Sequence, residues 1–189
     1  MHRTVSADFC GPKIVVLKRR LILQRPYCVR RSPAVCAIMA ACGFLKGWNY
    51  IYLLLDLYNR EIVGHACGER KDADLVKASF VTIAFPLFEI DVFHTDRGSG
   101  FDNMAVDEML EVFGITRSLS RKGNPYDNAA IESMNKALKT ASIHRRSYSS
   151  IDELRHEVNS YVQWYNNERM HSTLGYMSPI EFREAGLSL

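Results

Sequence analysis

The chain has 189 residues, 47% of them hydrophobic, and a formal net charge of +3. This length and apolar content suffice for one medium domain with a buried core, and they argue against a largely disordered protein. No apolar run is long enough to span a bilayer, and the N-terminus lacks the basic, apolar and small-residue regions of a secretory signal. We therefore expect a cytoplasmic protein with no membrane partner.

The cysteine pattern argues against a disulfide framework and against a zinc site. The cysteines are odd in number, none forms a Cys-x-x-Cys pair, and no Cys or His pair has the short spacing of tetrahedral zinc ligands. All five are interpreted as reduced thiols: Cys10, Cys28, Cys36, Cys42 and Cys67.

Charge is distributed unevenly along the chain. Residues 116–148 hold seven basic and two acidic side chains, a local charge of +5, whereas residues 51–115 hold five basic and twelve acidic ones, a local charge of −7. A local basic field suits a polyanionic substrate such as nucleic acid. Taken alone, the basic block is equally consistent with an ordinary solvated face.

Apolar patterns in the first half predict a strand hairpin followed by a helix. Residues 48–58 and 61–67 have the branched and aromatic composition of two antiparallel strands. Residues 71–85 have a helical period, with Asp72 as the N-cap and Pro86 as the residue that stops the helix.

Strands and helices alternate through the second half. The predicted elements are strands at 91–95 and 115–119 separated by a helix at 103–113, a loop at 120–127, and helices at 128–143 and from Ser150 onward. This order predicts a mixed α/β fold in which helices pack on a central sheet.

Two acidic residues occupy positions that suit a divalent-metal site. Asp96 follows the apolar strand in FHTDRGSGF, and Glu132 lies just inside a predicted helix in GNPYDNAAIESMNKALK, with thirty-five residues between them. Carboxylate oxygens are the ligands that Mg²⁺ prefers, and metal ions held by shared carboxylates assist phosphoryl transfer.

The predicted helix around Glu132 places polar and basic groups on one face. Asn128, Glu132, Lys136 and Lys139 follow a helical spacing, so they share that face. An amide and two lysines beside a carboxylate suit a metal ion in contact with a phosphate backbone. The spacing is also that of a solvated helix with Glu–Lys support.

Several long phrases resemble one family in the same order. LDLYNREIVG, HTDRGSGF, SLSRKGNPYDNAAIESMNKALK and WYNNERMHSTLGYMSPIEF resemble the retroviral-integrase-like core of insertion-sequence transposases, the larger or orfB-type subunit. The resemblance covers about residues 47–184. It implies a ribonuclease-H-like mixed sheet flanked by helices.

The resemblance also implies a function and a set of site residues. The family's catalytic set is two aspartates and a glutamate, DDE, in which Asp96 would be the second and Glu132 the third, both as ligands of Mg²⁺ or Mn²⁺. Lys139 matches a basic residue that contacts DNA, and Arg97 and Lys122 flank the active region as candidate phosphate contacts. The implied reaction is attack by water or a 3′-hydroxyl on a DNA phosphodiester.

The resemblance extends to partners. We expect DNA, both transposon ends and target, a homo-oligomer on that DNA, and a helix-turn-helix partner subunit that supplies end specificity. A protein bound to DNA in this way would be associated with the nucleoid. The C-terminal phrase is expected to pack back on the core, and Trp48 and Trp164 are assigned to the core.

The first aspartate of the family pattern has no counterpart. Counting back from Gly47-Trp48 leads to Ile38, where no carboxylate stands; Asp8 lies far upstream, and Asp56 is a weak substitute. Loss of a metal ligand is expected to impair the activity. The alternatives are a non-catalytic DNA-binding remnant and a ribonuclease-H-like nuclease.

Residues 1–46 do not share the regularity of the rest. Between Phe9 and Leu55 there is no acidic residue, and Arg, Lys, Cys and Ala cluster without a period. We interpret 1–46 as an atypical N-terminal segment, either disordered or translated out of frame and joined near Phe44 to genuine sequence. Residues 47–184 are the integrase-like core with its C-terminal segment.

Overall fold

A computed structural model describes residues 34–44, 47–96, 98, 100–120, 133–134, 136–138 and 148–187. The strands are β1 (Ala34–Phe44), β2 (Gly47–Asp56), β3 (Ile62–Gly68), β4 (Val92–Thr95) and β5 (Thr116–Leu119). The helices are α1 (Ala73–Val81), α2 (Met104–Phe113), α3 (Ile151–Asn167) and α4 (Pro179–Glu184), with 3₁₀ turns at Leu87–Glu89 and Ser172–Leu174. Residues 133–134 and 136–138 are also helical and are called the covering segment below.

The five strands form one mixed sheet in the order β3-β2-β1-β4-β5. The first three pair antiparallel, as successive hairpins do, whereas β4 pairs parallel with β1 and β5 pairs parallel with β4. Parallel pairs need a crossover connection, and α1 and α2 supply helices in the two crossovers. The mixed α/β prediction is therefore confirmed.

Strand β1 lies at the centre of this sheet, although it falls within residues 1–46, which the sequence pattern led us to interpret as an atypical segment, either disordered or out of frame. Its residues Val35 and Ile38 are fully buried, and Ala37 is 2% exposed. A strand that is covered on both faces has no polar alternation. The absence of a period in AVCAIMAACGF is thus the signature of a central strand.

The sheet separates two apolar clusters, one on each face. On one face, alternate β1 residues Cys36 and Ile38 pack with α3 and with Met134 and Leu138 of the covering segment. On the other face, α1 and α2 cover side chains that include Phe93. The result is a helix–sheet–helix arrangement with the sheet in the middle.

Edge strand β3 has its outer backbone groups bonded by side chains. Asn166 of α3 accepts from Ile62 N and donates to Ile62 O, both at 2.9 Å. Thr82, at the end of α1, accepts from His65 N at 2.8 Å and also contacts His65 O at 3.1 Å. These contacts occupy an edge that would otherwise be open to pairing with another strand.

Most predicted elements are confirmed, but α1 is shorter than expected. Asp72 is its N-cap and accepts from Leu75 N at 3.1 Å, as predicted. The helix ends at Val81, before the expected end at Phe85. Thr82 leaves the helix because its hydroxyl bonds to β3.

The prediction that both tryptophans lie in the core is wrong. Trp48 is 65% exposed and Trp164 is 43% exposed. Trp48 stands at the start of β2, beyond the part of the hairpin that the helices cover. Trp164 lies beside the buried stripe of α3 and outside it, next to Tyr165.

The C-terminal phrase packs against the core, as expected. His171 forms an edge-to-face contact with buried Tyr165 of α3, with ring centroids 5.1 Å apart. Helix α4 begins with a capping box between Ser178 and Glu181. Arg183 of α4 then pairs with Glu61 at the start of β3, which ties this segment to the sheet.

Candidate active site

Asp96 stands at the carboxyl end of β4, where the strand gives way to a glycine-containing turn. Its Oδ1 accepts a hydrogen bond from Gly98 N at 2.8 Å. The carboxylate is therefore held by the backbone of the residue two positions later. The position agrees with the prediction that the 91–95 strand delivers Asp96 at its end.

The strand register indicates which residue of β1 lies nearest to Asp96. Strands β1 and β4 pair in parallel as far as Cys36 opposite His94. Continued by two residues along each strand, the same register would bring Ile38 beside Asp96, which follows the last residue of β4. Ile38 is fully buried, and it is the residue at which the resemblance led us to expect a carboxylate.

Cys36 lies near the same carboxylate but is a poor substitute for it. Burial raises the pKa of the Cys36 thiol to about 12, and the negative charge of Asp96 adds to the shift. At neutral pH this side chain is therefore a neutral thiol, whereas Mg²⁺ prefers charged oxygen ligands. Asp56 does not replace the ligand either, because it pairs with Val35, whose side chain packs on the opposite face of the sheet from Ile38, and it accepts from Tyr58 N in the turn.

His94 precedes the carboxylate strand end on the same face of the sheet. Its Nδ1 lies 2.9 Å from Ser118 Oγ on β5. Its Nε2 is buried and has no hydrogen-bond partner within the described part of the chain. The Ser118 contact fixes the ring to the neighbouring strand.

The turn after Asp96 requires glycine where the backbone passes other groups closely. A Cβ on residue 100 would overlap Tyr52 Oη and lie 3.1 Å from Lys71 O. The next residue, Phe101, is 2% exposed and contacts Tyr52 edge to face, with ring centroids 5.0 Å apart. The described residues of this turn therefore end with an aromatic ring inserted into the core.

The covering segment brings part of the predicted Glu132 helix to the face of the sheet on which Ile38 packs. Met134 is 3% exposed and Leu138 is 1% exposed, in the same cluster as Ile38. Lys136, a predicted DNA contact, lies between them in sequence and is exposed. The remaining predicted site residues lie outside the described residues: Arg97, Lys122, Asn128, Glu132 and Lys139.

A magnesium site needs more oxygen ligands than the described residues provide here. Among the residues with described structure, no group of three or more His, Cys, Asp or Glu side chains could hold a metal ion. Asp96 contributes one carboxylate, and Ile38 contributes none. This part of the site, as the chain has it, does not fit a complete set of metal ligands.

Two family models, both described as integrase core domain, match residues 37–125 and 113–179. Three curated relatives come from insertion elements. The chain is 36% identical over 143 residues to the transposase of IS904 from Lactococcus lactis, and 32% identical over 167 residues to the putative transposase InsK of IS150 from Escherichia coli. It is 37% identical over 142 residues to an uncharacterized 31 kDa protein of IS600 from Shigella sonnei.

The chain belongs to the integrase core family of insertion-sequence transposases. The matches cover 74%, 86% and 74% of this transposase core, respectively. It spans 56%, 58% and 52% of the same three relatives. The curated relatives are thus nearly twice as long as the part that matches.

Solved structures confirm the fold class of the transposase core. The catalytic core domain of HTLV-2 integrase, in complex with magnesium, aligns with a TM-score of 0.61 at 13% identity, covering 82% of this chain and 97% of that one. A chain in the structure of the simian T-cell lymphotropic virus intasome in complex with PP2A regulatory subunit B56 gamma aligns with a TM-score of 0.63 at 13% identity, covering 80% of this chain and 54% of that one. The ribonuclease-H-like prediction is therefore confirmed. Within the described residues, no helix is long and apolar enough to cross a membrane.

Proposed function

We propose that this chain is the core of a DNA transposition enzyme whose metal site is weakened because Ile38 replaces the first carboxylate. Asp96 is then one metal ligand and Glu132 another. The observation that carries the proposal is the parallel register of β1 on β4, which pairs Cys36 with His94 and, continued by two residues, would bring Ile38 beside Asp96. A shift of this register by one residue would turn every β1 side chain to the other face of the sheet, so the pairing restricts which residue can lie nearest to Asp96.

The charge distribution supports DNA as the substrate. The 116–148 block has a charge of +5, from seven basic and two acidic residues, and it includes the covering segment, which packs on the Asp96 face of the sheet. Exposed Lys136 belongs to this block. A phosphate backbone is the partner that such a basic surface attracts most strongly.

The replacement of a carboxylate by isoleucine has two physical consequences. The site loses one negative charge and one or two oxygen ligands, both of which a divalent cation requires. It also gains a buried apolar side chain, which does not stabilise a dehydrated ion. A bound Mg²⁺ would supply charge neutralisation and polarisation of the scissile phosphate, so we expect weak catalysis by the chain as it stands.

The remaining parts of the proposal concern partners. The matched relatives extend well beyond the aligned region, so end recognition would come from a helix-turn-helix partner or from sequence outside this chain. DNA would bring at least two copies together, because two transposon ends must be joined to one target. In a cell the complex would lie with the DNA in the cytoplasm.

A restoration experiment tests the proposal. Ile38→Asp should give Mg²⁺- or Mn²⁺-dependent nicking and joining of a duplex that carries the terminal sequences of the element, at a rate well above that of the original chain. The matched control is Ala40→Asp, which puts the same charge on the same face of β1, two residues further along; it should give no gain. Ile38→Asp combined with Asp96→Asn should also give none.

Two outcomes would contradict the proposal. One is an Ile38→Asp variant with an unchanged circular dichroism spectrum and no gain in either reaction. The other is activity in the original chain that survives Asp96→Asn. Nicking without any joined product in the restored variant would favour the nuclease alternative, and DNA binding without either reaction would favour the non-catalytic remnant.

A further inference from the structure

Arg117 makes several contacts with the turn that follows Asp96. It is the second residue of β5, and its side chain is only 16% exposed. Its Nη2 donates to Phe101 O at 2.6 Å, and its Nη1 donates to the carboxylate of Asp107 in α2. Asp102 lies 3.8 Å from Nη2.

These contacts lead back to Asp96 through two backbone hydrogen bonds. Phe101 N donates to Gly98 O at 2.9 Å, and Gly98 N donates to Asp96 Oδ1 at 2.8 Å. Phe101 therefore links the two: its carbonyl accepts from Arg117, and its amide donates to Gly98. Its guanidinium reaches the far side of the reversal and fixes it against β5 and α2.

The ring of Phe101 gives the reversal a second anchor. It contacts Tyr52 at 5.0 Å and Phe93 at 6.4 Å between ring centroids. A ring in the core fixes the position of the turn, but it leaves the peptide planes free to rotate. A carbonyl held by a guanidinium also fixes the orientation of the peptide that follows Phe101, and the N–H of the same residue donates to Gly98 O.

We propose that Arg117 is a positioning residue that sets the orientation of the Asp96 carboxylate. The ligand role of Asp96 rests on the proposed function, whereas the chain of hydrogen bonds does not. The guanidinium suits this task because its planar fork serves the Phe101 carbonyl and the Asp107 carboxylate at once. Its Nε has no partner among the described residues, so the two Nη groups determine its orientation.

The experiment reads the Gly98 amide in the full 189-residue chain without metal or DNA. Backbone NMR would record the ¹H shift and the hydrogen-exchange rate of Gly98 in the original chain and in Arg117→Met, Arg117→Lys and Asp96→Asn. Asp96→Asn shows the Gly98 signal that results when the hydrogen bond from Gly98 N to the side chain of residue 96 is weakened. Arg155→Met is the matched control, because Arg155 is an exposed arginine on α3 that pairs with neighbouring Asp152.

The expected result is a change confined to the turn. In Arg117→Met the ¹H shift of the Gly98 amide should move toward the value that it has in Asp96→Asn. Its hydrogen-exchange rate should rise about tenfold, as for loss of a charge-assisted hydrogen bond. Arg117→Lys should restore part of the signal, because an ammonium group can still donate to one of the two oxygens. Amides of α3 and the Arg155→Met spectrum at Gly98 should remain unchanged.

A Gly98 signal in Arg117→Met identical to that of the original chain would overturn the inference, as would a change that extends equally to α3. Should Arg117→Met not fold, Asp107→Asn weakens the same clamp from its exposed side and must shift Gly98 in the same direction. The failure of the proposed function would appear in the restoration assay and leave this amide readout intact. The two ideas can therefore fail separately.

Discussion

Replacing Asn166 with leucine should destabilise the fold far more than the same change at the next residue. Asn166 is 8% exposed, and its amide makes two hydrogen bonds of 2.9 Å to the backbone of Ile62. Leucine is similar in size but offers neither a donor nor an acceptor. The N–H and C=O of Ile62 would then lose their partners at the buried start of β3.

The expected loss in the free energy of unfolding follows from those two hydrogen bonds. Each contributes about 1 kcal/mol net, and a buried group left without a partner costs about 1–3 kcal/mol. Since water can reach part of an edge strand, we expect a loss of about 3 kcal/mol in the free energy of unfolding. For a chain of this size that corresponds to a fall of about 6–12 °C in melting temperature.

Urea unfolding followed by circular dichroism measures the loss directly. The control is Asn167→Leu, because Asn167 is exposed and its amide bonds to Gln163 within the same helix. This change should cost less than about 1 kcal/mol. Equal costs at the two positions would refute the argument that the side chain of Asn166 secures the edge of the sheet.

Three further predictions concern the turn, a half-buried histidine and a buried thiol. Gly100→Ala should destabilise the chain by about 1–3 kcal/mol through overpacking, and adding Tyr52→Phe should recover part of that loss in the same unfolding assay, because it removes the Oη atom that the new Cβ overlaps. Burial and nearby guanidinium groups lower the pKa of His171 from 6.5 to about 4, so its contribution to stability is present above pH 6.5 and is lost as the pH falls through about 4. As the pH falls through this range, the urea midpoint should fall less steeply in His171→Asn than in His156→Asn, the control at an exposed histidine. Equal dependence on pH in the two variants would contradict the lowered pKa of His171. Because burial raises the pKa of Cys36 to about 12, iodoacetamide at pH 8 should label it only after denaturation, as peptide mass spectrometry would show.

The edges of the sheet and its crossover helices could be predicted from the sequence, but its centre could not. Helix α2 alternates between apolar and polar residues because one side faces solvent. Strand β1 is covered on both sides, so its sequence carries no such alternation. Helix α1 ends early because Thr82 bonds to β3, and nothing in the local sequence announces that contact.

The candidate site divides in the same way. Asp96 could be located because an apolar strand and a glycine turn are adjacent in sequence. Its proximity to Ile38 depends on the pairing of β1 with β4, two strands that lie almost fifty residues apart along the chain and pair only through the tertiary fold. The resemblance led us to expect a carboxylate at Ile38, and the strand register, continued past Cys36 and His94, would bring that residue beside Asp96. Arg117 was not singled out at all, because its partners Phe101 and Asp107 come from other elements.

The central claim is that Ile38 stands beside Asp96 at the position of a missing metal ligand. Isothermal titration of Mn²⁺ into the original chain, Ile38→Asp, and Ile38→Asp combined with Asp96→Asn tests it without any DNA. An added carboxylate that shares an ion with Asp96 should tighten Mn²⁺ binding by at least about tenfold, and the gain should disappear when Asp96 is replaced. A folded Ile38→Asp chain that binds no more tightly than the original, or a gain that persists without Asp96, would show that the two positions do not share an ion.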